Sequence, residues 1–211
     1  MKTRIFNLII IDESGSMVTI EQEAINSVNE TIQTIRAAQK QHEDQEHFVT
    51  LVTFNTEIKT LYNCAPIGEV KEITNESYEP DCCTALYDAM GLSLNALRKS
   101  VTETDKVLVT VVTDGEENAS REFNSQAIKA LVDELKEKGW IFAYMGANQD
   151  VIKVAATLSI SNVMNWDSTK EGARYMSQRM SNSRHKLYSR ISKADFSAAE
   201  ANSDFFKDED K

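Results

Sequence analysis

The stretch Ile5-Phe-Asn-Leu-Ile-Ile-Ile-Asp12-Glu-Ser14-Gly-Ser16 decides the fold of this chain. Residues 5–11 form a nearly continuous apolar run, which is typical of a strand buried on both faces of a parallel sheet. The run ends in a short polar loop, Asp12 to Ser16, and a helical pattern follows. The stretch therefore predicts a strand, a polar loop and a helix in succession, which is how an α/β domain begins.

The rest of the chain alternates in the same way between strand-like and helical segments. The second and third strand-like runs are separated by a very short connection, which predicts a hairpin and hence one antiparallel edge strand. The other runs predict a doubly wound, mostly parallel, six-stranded sheet with helices on both faces. We predict strands over 5–11, 48–54, 58–62, 106–113, 140–145 and 162–165, and helices over 21–41, 84–101, 125–138, 151–158 and 168–193.

The chain of 211 residues fits one domain, which we place at residues 1–193. Residues 194–211 are polar and acidic and are predicted to form a flexible tail. The last helix, 168–193, carries seven Lys or Arg residues and a single acidic residue, Glu171. We expect its apolar stripe to pack on the sheet, with a docking surface for an acidic partner or for the tail as the alternative. Its cationic side chains are then predicted to be solvated: Lys170, Arg174, Arg179, Arg184, Lys186 and Arg190.

The formal net charge of −10 disfavours binding to nucleic acids, since phosphate backbones repel an acidic protein. No run approaches the roughly 20 apolar residues that span a bilayer, and no signal peptide is evident. We therefore predict a cytoplasmic protein without membrane contact. The three cysteines, Cys64, Cys82 and Cys83, are odd in number and two are adjacent. They predict reduced, inert thiols and no disulfide framework.

Oxygen-bearing side chains follow two of the predicted strands. Asp12, Ser14 and Ser16 come after the first strand, and Thr113-Asp114-Gly115-Glu116 follows the Val-rich strand. Ligands bind at such carboxyl ends in open α/β sheets. An all-oxygen set without His or Cys suits a hard cation such as Mg²⁺, Mn²⁺ or Ca²⁺. With only two carboxylates, the ion would keep positive charge and accept an acidic oxygen from a partner.

The order Asp12-x-Ser14-x-Ser16, then Thr84, then Thr113-Asp114-Gly115 resembles the metal-ion-dependent adhesion site of von Willebrand factor A domains. The resemblance covers residues 4–165 and, at the level of the family, includes small stand-alone bacterial members. It implies a Rossmann-like fold. It also implies that Ser14, Ser16 and Thr84 coordinate the metal through hydroxyls, while Asp12 and Asp114 bind it directly or through water.

Other polar residues stand near these ligands in the sequence. Glu13, Asp81 and Glu116 are possible members of the site rim, and all three are expected to face solvent. Asn148 is a further rim candidate, although a helix-capping role is favoured for Asn148, Gln149 and Asp150. A simple helix N-cap is also the alternative reading of Asp12, Ser14 and Ser16, and Thr84 and Asp114 argue against it.

The leading hypothesis is a non-enzymatic, cation-dependent interaction module whose partner protein offers an Asp or Glu carboxylate. We expect a monomer and leave the partner open. One alternative is a Mg²⁺-dependent phosphatase or hydrolase with Asp12 or Ser14 as the nucleophile. Against it, Ser14 stands where an aspartyl phosphatase needs its second carboxylate, and no Gly-rich phosphate loop is present. The other alternative is a scaffold protein with a purely structural metal site.

Overall fold

The computed structural model describes residues 2–147 and 150–207. The strands are β1 Thr3–Asp12, β2 Gln45–Phe54, β3 Ile58–Pro66, β4 Lys106–Thr113, β5 Ile141–Gly146 and β6 Asn162–Asn165. The helices are α1 Glu21–Gln41, α2 Leu86–Leu97, α3 Ser125–Glu137, α4 Val151–Thr157, α5 Lys170–Ile191 and α6 Ala198–Asp204, and a 3₁₀ helix covers Gly15–Ile20.

The six strands form one sheet in the order β3-β2-β1-β4-β5-β6. β1 pairs in parallel with both β2 and β4, and β3 runs antiparallel to β2 at the edge. The predicted doubly wound sheet with one antiparallel edge strand is therefore confirmed. The chain builds outward in opposite directions from β1 and β4, so the strand order reverses between these two strands. This reversal opens a crevice at their carboxyl ends.

The side chains of β1 alternate between two apolar cores, one on each face of the sheet. Ile9 and Ile11 pack in the core that contains α1, α5 and α6. Leu8 and Ile10 pack in the core that contains α2, α3 and α4. This explains the continuous apolar run of β1, because a strand covered on both faces has no solvent side.

The long helix α5 packs along α1 on one face of the sheet. Its N-cap is Thr169, whose side chain accepts a hydrogen bond from the backbone N–H of Gly172. In the described ranges, neither α5 nor any other helix is long and apolar enough to cross a membrane.

The structure corrects the prediction of a flexible tail for residues 194–207. This segment forms α6, in which Ala201 is buried, and Phe205 directly after the helix is buried too. The side-chain amide of Asn202 donates to the carbonyl oxygen of Trp140 at 2.7 Å. The acidic composition of this segment suggested a tail. It nevertheless contains two apolar residues at helical spacing, Ala201 and Phe205, and the amide of Asn202, which hydrogen-bonds the backbone next to β5.

The structure also corrects the prediction that Arg184 is solvated. Arg184 is fully buried beneath the sheet. Its guanidinium donates to Asn7 Oδ1 at 3.1 Å, to the Tyr188 hydroxyl at 2.9 Å and to Thr110 Oγ1 at 2.9 Å. Asn7 interrupts the apolar run of β1 and supplies the acceptor that a helix-facing cation needs. Within the described part of the chain, this buried cation has neutral hydrogen-bond acceptors and no ion pair.

We expect Arg184→Ala to lower the free energy of unfolding by about 3 kcal/mol, since it leaves a cavity and strips Asn7 and Thr110 of a buried donor. Urea denaturation followed by circular dichroism measures this change. Arg174→Ala on the exposed side of the same helix is the matched control and should change stability by less than about 0.5 kcal/mol. Equal effects of the two substitutions would contradict the structural role of Arg184.

Candidate metal centre

The carboxyl ends of β1 and β4 bring the predicted ligands to one edge of the sheet. Asp12 is the last residue of β1, and Asp114 directly follows β4. Ile11 pairs with Val112, so the two aspartates leave neighbouring strands at the same level. Thr84 lies just before α2 and joins them from a third segment. Asp12, Thr84 and Asp114 are buried, and Ser16 is exposed, so the site opens to solvent on the side of Ser16.

A short hydrogen-bond chain connects the ligand candidates. Ser16 Oγ donates to Asp114 Oδ1, and the hydroxyls of Ser14 and Ser16 lie 3.2 Å apart. The backbone N–H of Ser14 donates to Asp12 Oδ1 at 2.8 Å. Ser14 stands at the N-cap position of the 3₁₀ helix, yet its side chain makes no capping hydrogen bond. The helix-cap reading of these residues is therefore wrong for Ser14, whose hydroxyl faces the other ligand candidates.

The surroundings of Gly115 show that oxygens from the loop of Asp12 and Ser16 and from Thr84 converge on one point. A methyl group built on the Cα of Gly115 would lie 3.1 Å from Thr84 Oγ1, 3.5 Å from Ser16 Oγ and 3.8 Å from Asp12 Oδ2. The absence of a side chain at this position leaves that space open. Two hydroxyls and a carboxylate around such a space, with Ser14 and Asp114 hydrogen-bonded to Ser16, fit a small, hard cation.

Few of the candidate metal ligands carry a negative charge. In the described residues, no cluster of three or more His, Cys, Asp or Glu side chains is placed to hold a metal ion. A cation here would depend on the hydroxyls of Ser14, Ser16 and Thr84 together with only two carboxylates. Neutral ligands leave a dication with positive charge that it can share with one more anionic oxygen.

Burial raises the pKa of Asp12 from its ordinary value of 3.8 to about 6. The hydrogen bond from Thr113 Oγ1, 2.5 Å from Asp12 Oδ2, and the bonds from Ser14 oppose this shift. The nearby charge of Asp114 adds to it. The protein therefore holds a carboxylate where its negative charge is costly, and a cation would offset that cost.

Hydrogen bonds from the loop after Asp114 hold the backbone of Thr84 in place, and the sequence alone did not predict them. Asn118 Oδ1 accepts the backbone N–H of Thr84 at 2.9 Å, and the N–H groups of Asn118 and Ala119 donate to the Thr84 carbonyl at 3.0 and 3.2 Å. The Glu117 carboxylate accepts three more backbone N–H groups around it, from Tyr87, Ala119 and Ser120. Asn and acidic residues directly after an Asp-Gly pair favour such turns, and this was the available signal.

Asp88 holds the same loop from the side of α2. It is buried, and its two carboxylate oxygens accept the backbone N–H groups of residues 121–123 at 2.7 to 2.9 Å. An acidic residue in the first turn of a helix gives little indication of such a contact from sequence alone. The contact fixes the loop after Asp114 against the helix that begins next to Thr84.

The prediction that Glu13 faces solvent is wrong. Glu13 is fully buried, its Oε1 accepts the backbone N–H of Glu79 at 2.6 Å, and Lys59 Nζ lies 3.5 Å from its Oε2. Next to it, the Tyr78 hydroxyl donates to the Asp12 carbonyl at 2.6 Å. Successive side chains of an extended segment point to opposite sides, so Glu13 turns away from the ligands and under the loop that leads to Thr84.

The other rim candidates have different positions. Glu116 and Asp81 are exposed, and Asp150 caps α4 by accepting the backbone N–H of Lys153 at 3.2 Å. Asn148 and Gln149 lie outside the described residues.

Ser168 also reaches the site, and no feature of the sequence pointed to it. Its Oγ donates to Asp114 Oδ2 at 3.1 Å, so both oxygens of this carboxylate accept hydroxyl hydrogen bonds. Ser168 immediately precedes Thr169, the N-cap of α5. The segment that leads into the last long helix is therefore tied directly to a ligand candidate.

Residues 8–190 match the family model of the von Willebrand factor type A domain. The chain belongs to this family. The predicted family is thus confirmed, and the sheet described above is the Rossmann-like fold of von Willebrand factor A domains. No curated protein matches the chain in sequence.

Solved structures share the fold at low sequence identity. The PilB minor pilin from Streptococcus sanguinis is 11% identical with a TM-score of 0.62, over 92% of this chain and 64% of the pilin. The pilus adhesin SpaC from Lactobacillus rhamnosus GG is 13% identical with a TM-score of 0.65, over 89% and 30%. Proximal thread matrix protein 1 from the mussel byssus, with a zinc-occupied MIDAS motif, is 15% identical with a TM-score of 0.58, over 87% and 46%. This chain spans less than two thirds of each.

We expect Asp12→Asn to stabilise the chelator-treated protein at about pH 7.5 by about 2 kcal/mol. The folded protein binds the Asp12 proton more tightly than the unfolded chain does, because burial raises this pKa to about 6. Stability from this group is therefore lost as pH rises from about 4 to 6, and asparagine, which has no charge to bury, avoids the loss. Chemical denaturation of both proteins across this pH range measures the difference.

The exposed Asp81→Asn removes one charge from the neighbouring loop and serves as the control. It should change stability by less than about 0.5 kcal/mol at every pH. A destabilised Asp12→Asn protein, or a difference from wild type that does not grow with pH, would contradict the assignment of a strained Asp12 carboxylate.

Proposed function

We propose that this domain is a divalent-cation-dependent protein-interaction module. The observation that carries the proposal is the convergence of Asp12, Ser16 and Thr84 oxygens on the open space beside Gly115, at a point that faces solvent. Ser14, Ser16 and Thr84 would hold the cation through hydroxyls, and Asp12 and Asp114 directly or through water. When bound, the cation supplies a positive centre that accepts an Asp or Glu oxygen of a partner protein.

The ligand candidates of this chain would leave a bound cation able to accept such a partner oxygen. Hydroxyl donors already draw on both carboxylates, and a carboxylate that binds through water would offset less of the charge of a dication. Hydroxyl-rich coordination therefore favours a further anionic ligand from outside. Mg²⁺ is our first candidate, with Mn²⁺ and Ca²⁺ as alternatives, because the donor set is all oxygen. The zinc-occupied motif of the mussel protein is a reason to include Zn²⁺ in any titration.

We also propose that the site binds without catalysing a reaction. A hydrolase would need a general base near the nucleophile. His47 pairs with Ile5 near the amino end of β1, whereas Asp12 pairs with Phe54 at the carboxyl end. His47 Nε2 lies 3.0 Å from Gln45 Oε1 and belongs to the buried network under α5. The other histidines, His42 and His185, lie at the end of α1 and in the second half of α5.

Gly115→Ala should abolish Mg²⁺ binding measured by calorimetry on chelator-treated protein, because the new methyl group takes the space between Thr84, Ser16 and Asp12. Gly68→Ala is the matched control, since a methyl group there meets no atom within 4 Å. We expect the control to bind Mg²⁺ as the wild type does. If the wild-type protein fails to bind any of the four cations at millimolar concentration, the proposal is wrong.

The partner half of the proposal is tested with acetate as the simplest carboxylate probe. In the presence of excess Mg²⁺, acetate should shift the backbone amide signals of Gly15, Thr84 and Gly115 in a saturable manner, whereas the neutral acetamide should not. Thr84→Val removes one hydroxyl at nearly constant volume and should weaken the response, while Thr84→Ser should retain it. Acetate shifts that persist without a cation would count against metal-mediated recognition.

A further inference from the structure

Cys82 and Cys83 form an exposed pair of thiols next to the candidate metal centre. Both cysteines are free and exposed. Cys82 has a φ of 65°, a left-handed conformation that is uncommon outside glycine. The pair directly precedes Thr84, the ligand candidate contributed by this loop. The third cysteine, Cys64, lies apart on β3.

The peptide unit between the two cysteines connects the two ligand loops. The carbonyl oxygen of Cys82 accepts the backbone N–H of Gly15 at 3.2 Å, and Gly15 lies between the ligand candidates Ser14 and Ser16. The backbone N–H of Cys82 donates to Asp81 Oδ1 at 2.7 Å. After the cysteine pair, Asn118 Oδ1 accepts the backbone N–H of Thr84 and holds it in place. Any rotation of the Cys82–Cys83 peptide therefore acts on both halves of the metal centre.

We propose that Cys82 and Cys83 are a modification site, and that their oxidation to a disulfide between neighbours weakens cation binding. The reaction partner is a small-molecule disulfide such as oxidised glutathione. One cysteine sulfur attacks it, which forms a mixed disulfide and releases the first glutathione thiol. The second cysteine displaces the remaining glutathione, so one S–S bond forms in the protein, one is reduced, and two protons remain on the released thiols.

The geometry explains why the disulfide would reach the metal centre. Neighbouring Cα atoms are about 3.8 Å apart across a trans peptide, whereas disulfides usually join Cα atoms about 4.4–6.8 Å apart. Closing the ring therefore distorts the intervening peptide and turns the Cys82 carbonyl away from its present direction. The hydrogen bond from the Gly15 N–H then breaks, which removes one of the contacts between the loop of Ser14 and Ser16 and the loop of Thr84. A disulfide strained in this way is also readily reduced, so the change is reversible.

The surroundings of the pair make the reaction slow at neutral pH. The hydrogen bond from Cys82, followed by its charge and that of Asp81, raises the pKa of the Cys83 thiol. A thiol that stays protonated is a weak nucleophile, which agrees with the sequence-based expectation of unreactive thiols. The modification is therefore expected under sustained exposure to an oxidant and not as a rapid response.

The experiment compares the full chain in two forms, reduced and treated with excess oxidised glutathione at about pH 8.5. Whole-protein mass spectrometry should show the loss of two hydrogen atoms without a retained glutathione. Calorimetric titration with Mg²⁺ should then give an affinity about tenfold weaker for the oxidised form, the equivalent of one broken hydrogen bond. Reduction should restore the original affinity.

Two variants make the outcome specific. A variant that combines Cys82→Ser with Cys83→Ser forms neither the disulfide nor a mixed disulfide at this site, and the oxidant should leave its Mg²⁺ affinity unchanged. Cys64→Ser keeps the pair and should respond as the wild type does. The inference rests on the proposed function, and a different experimental result would contradict each of them. If the reduced protein binds no Mg²⁺, the proposed function fails. If it binds but the oxidised form binds equally well, or if only the glutathione adduct forms, the inference is overturned.

Discussion

The carboxylates of Asp12 and Asp114, buried side by side where β1 and β4 end, are the constraint on which this structure depends. Removing two like charges from water is costly, and the raised pKa of Asp12 expresses that cost. Hydroxyl donors from Thr113, Ser16 and Ser168 offset part of it. Neutral donors cannot supply a countercharge, so the site remains suited to a cation. In the proposed function, a dication held partly by neutral hydroxyls would take a further acidic oxygen from a partner.

Around this pair, buried side chains hold the backbone of the neighbouring loops in place through hydrogen bonds. Glu13 and Asp88 are acidic residues close to the site, yet their carboxylates accept backbone N–H groups of loops and stay out of the ligand set. Such hydrogen bonds to charged acceptors are stronger than neutral ones. They hold the loops of Ser14, Thr84 and Asp114 in register with one another. The site is therefore assembled from three segments whose mutual position depends on residues that would not touch the ion.

Beneath the sheet the buried charge is positive: Arg184 is buried among Asn7, Thr110 and Tyr188. There, a single cation donates hydrogen bonds to neutral acceptors that approach from β1, β4 and its own helix. The two networks lie on the same pair of strands. Asn7 and Asp12 are the two polar positions in the buried part of β1, one for the helix contact and one for the candidate metal centre.

The sequence by itself determined the order of strands and helices up to α5 and a mostly parallel sheet with one antiparallel edge strand, because apolar periodicity is a local property of the chain. The five ligand candidates came from the order of motifs that resembles the family. Only the tertiary structure decided the burial of Glu13 and Arg184, the packing of α6 and the participation of Ser168. Each of these depends on a partner far along the chain: Glu79, Asn7, Trp140 and Asp114 respectively. A polar side chain looks the same in the sequence whether water or a distant backbone group satisfies it. The folded chain alone supplies the partner that makes its burial possible.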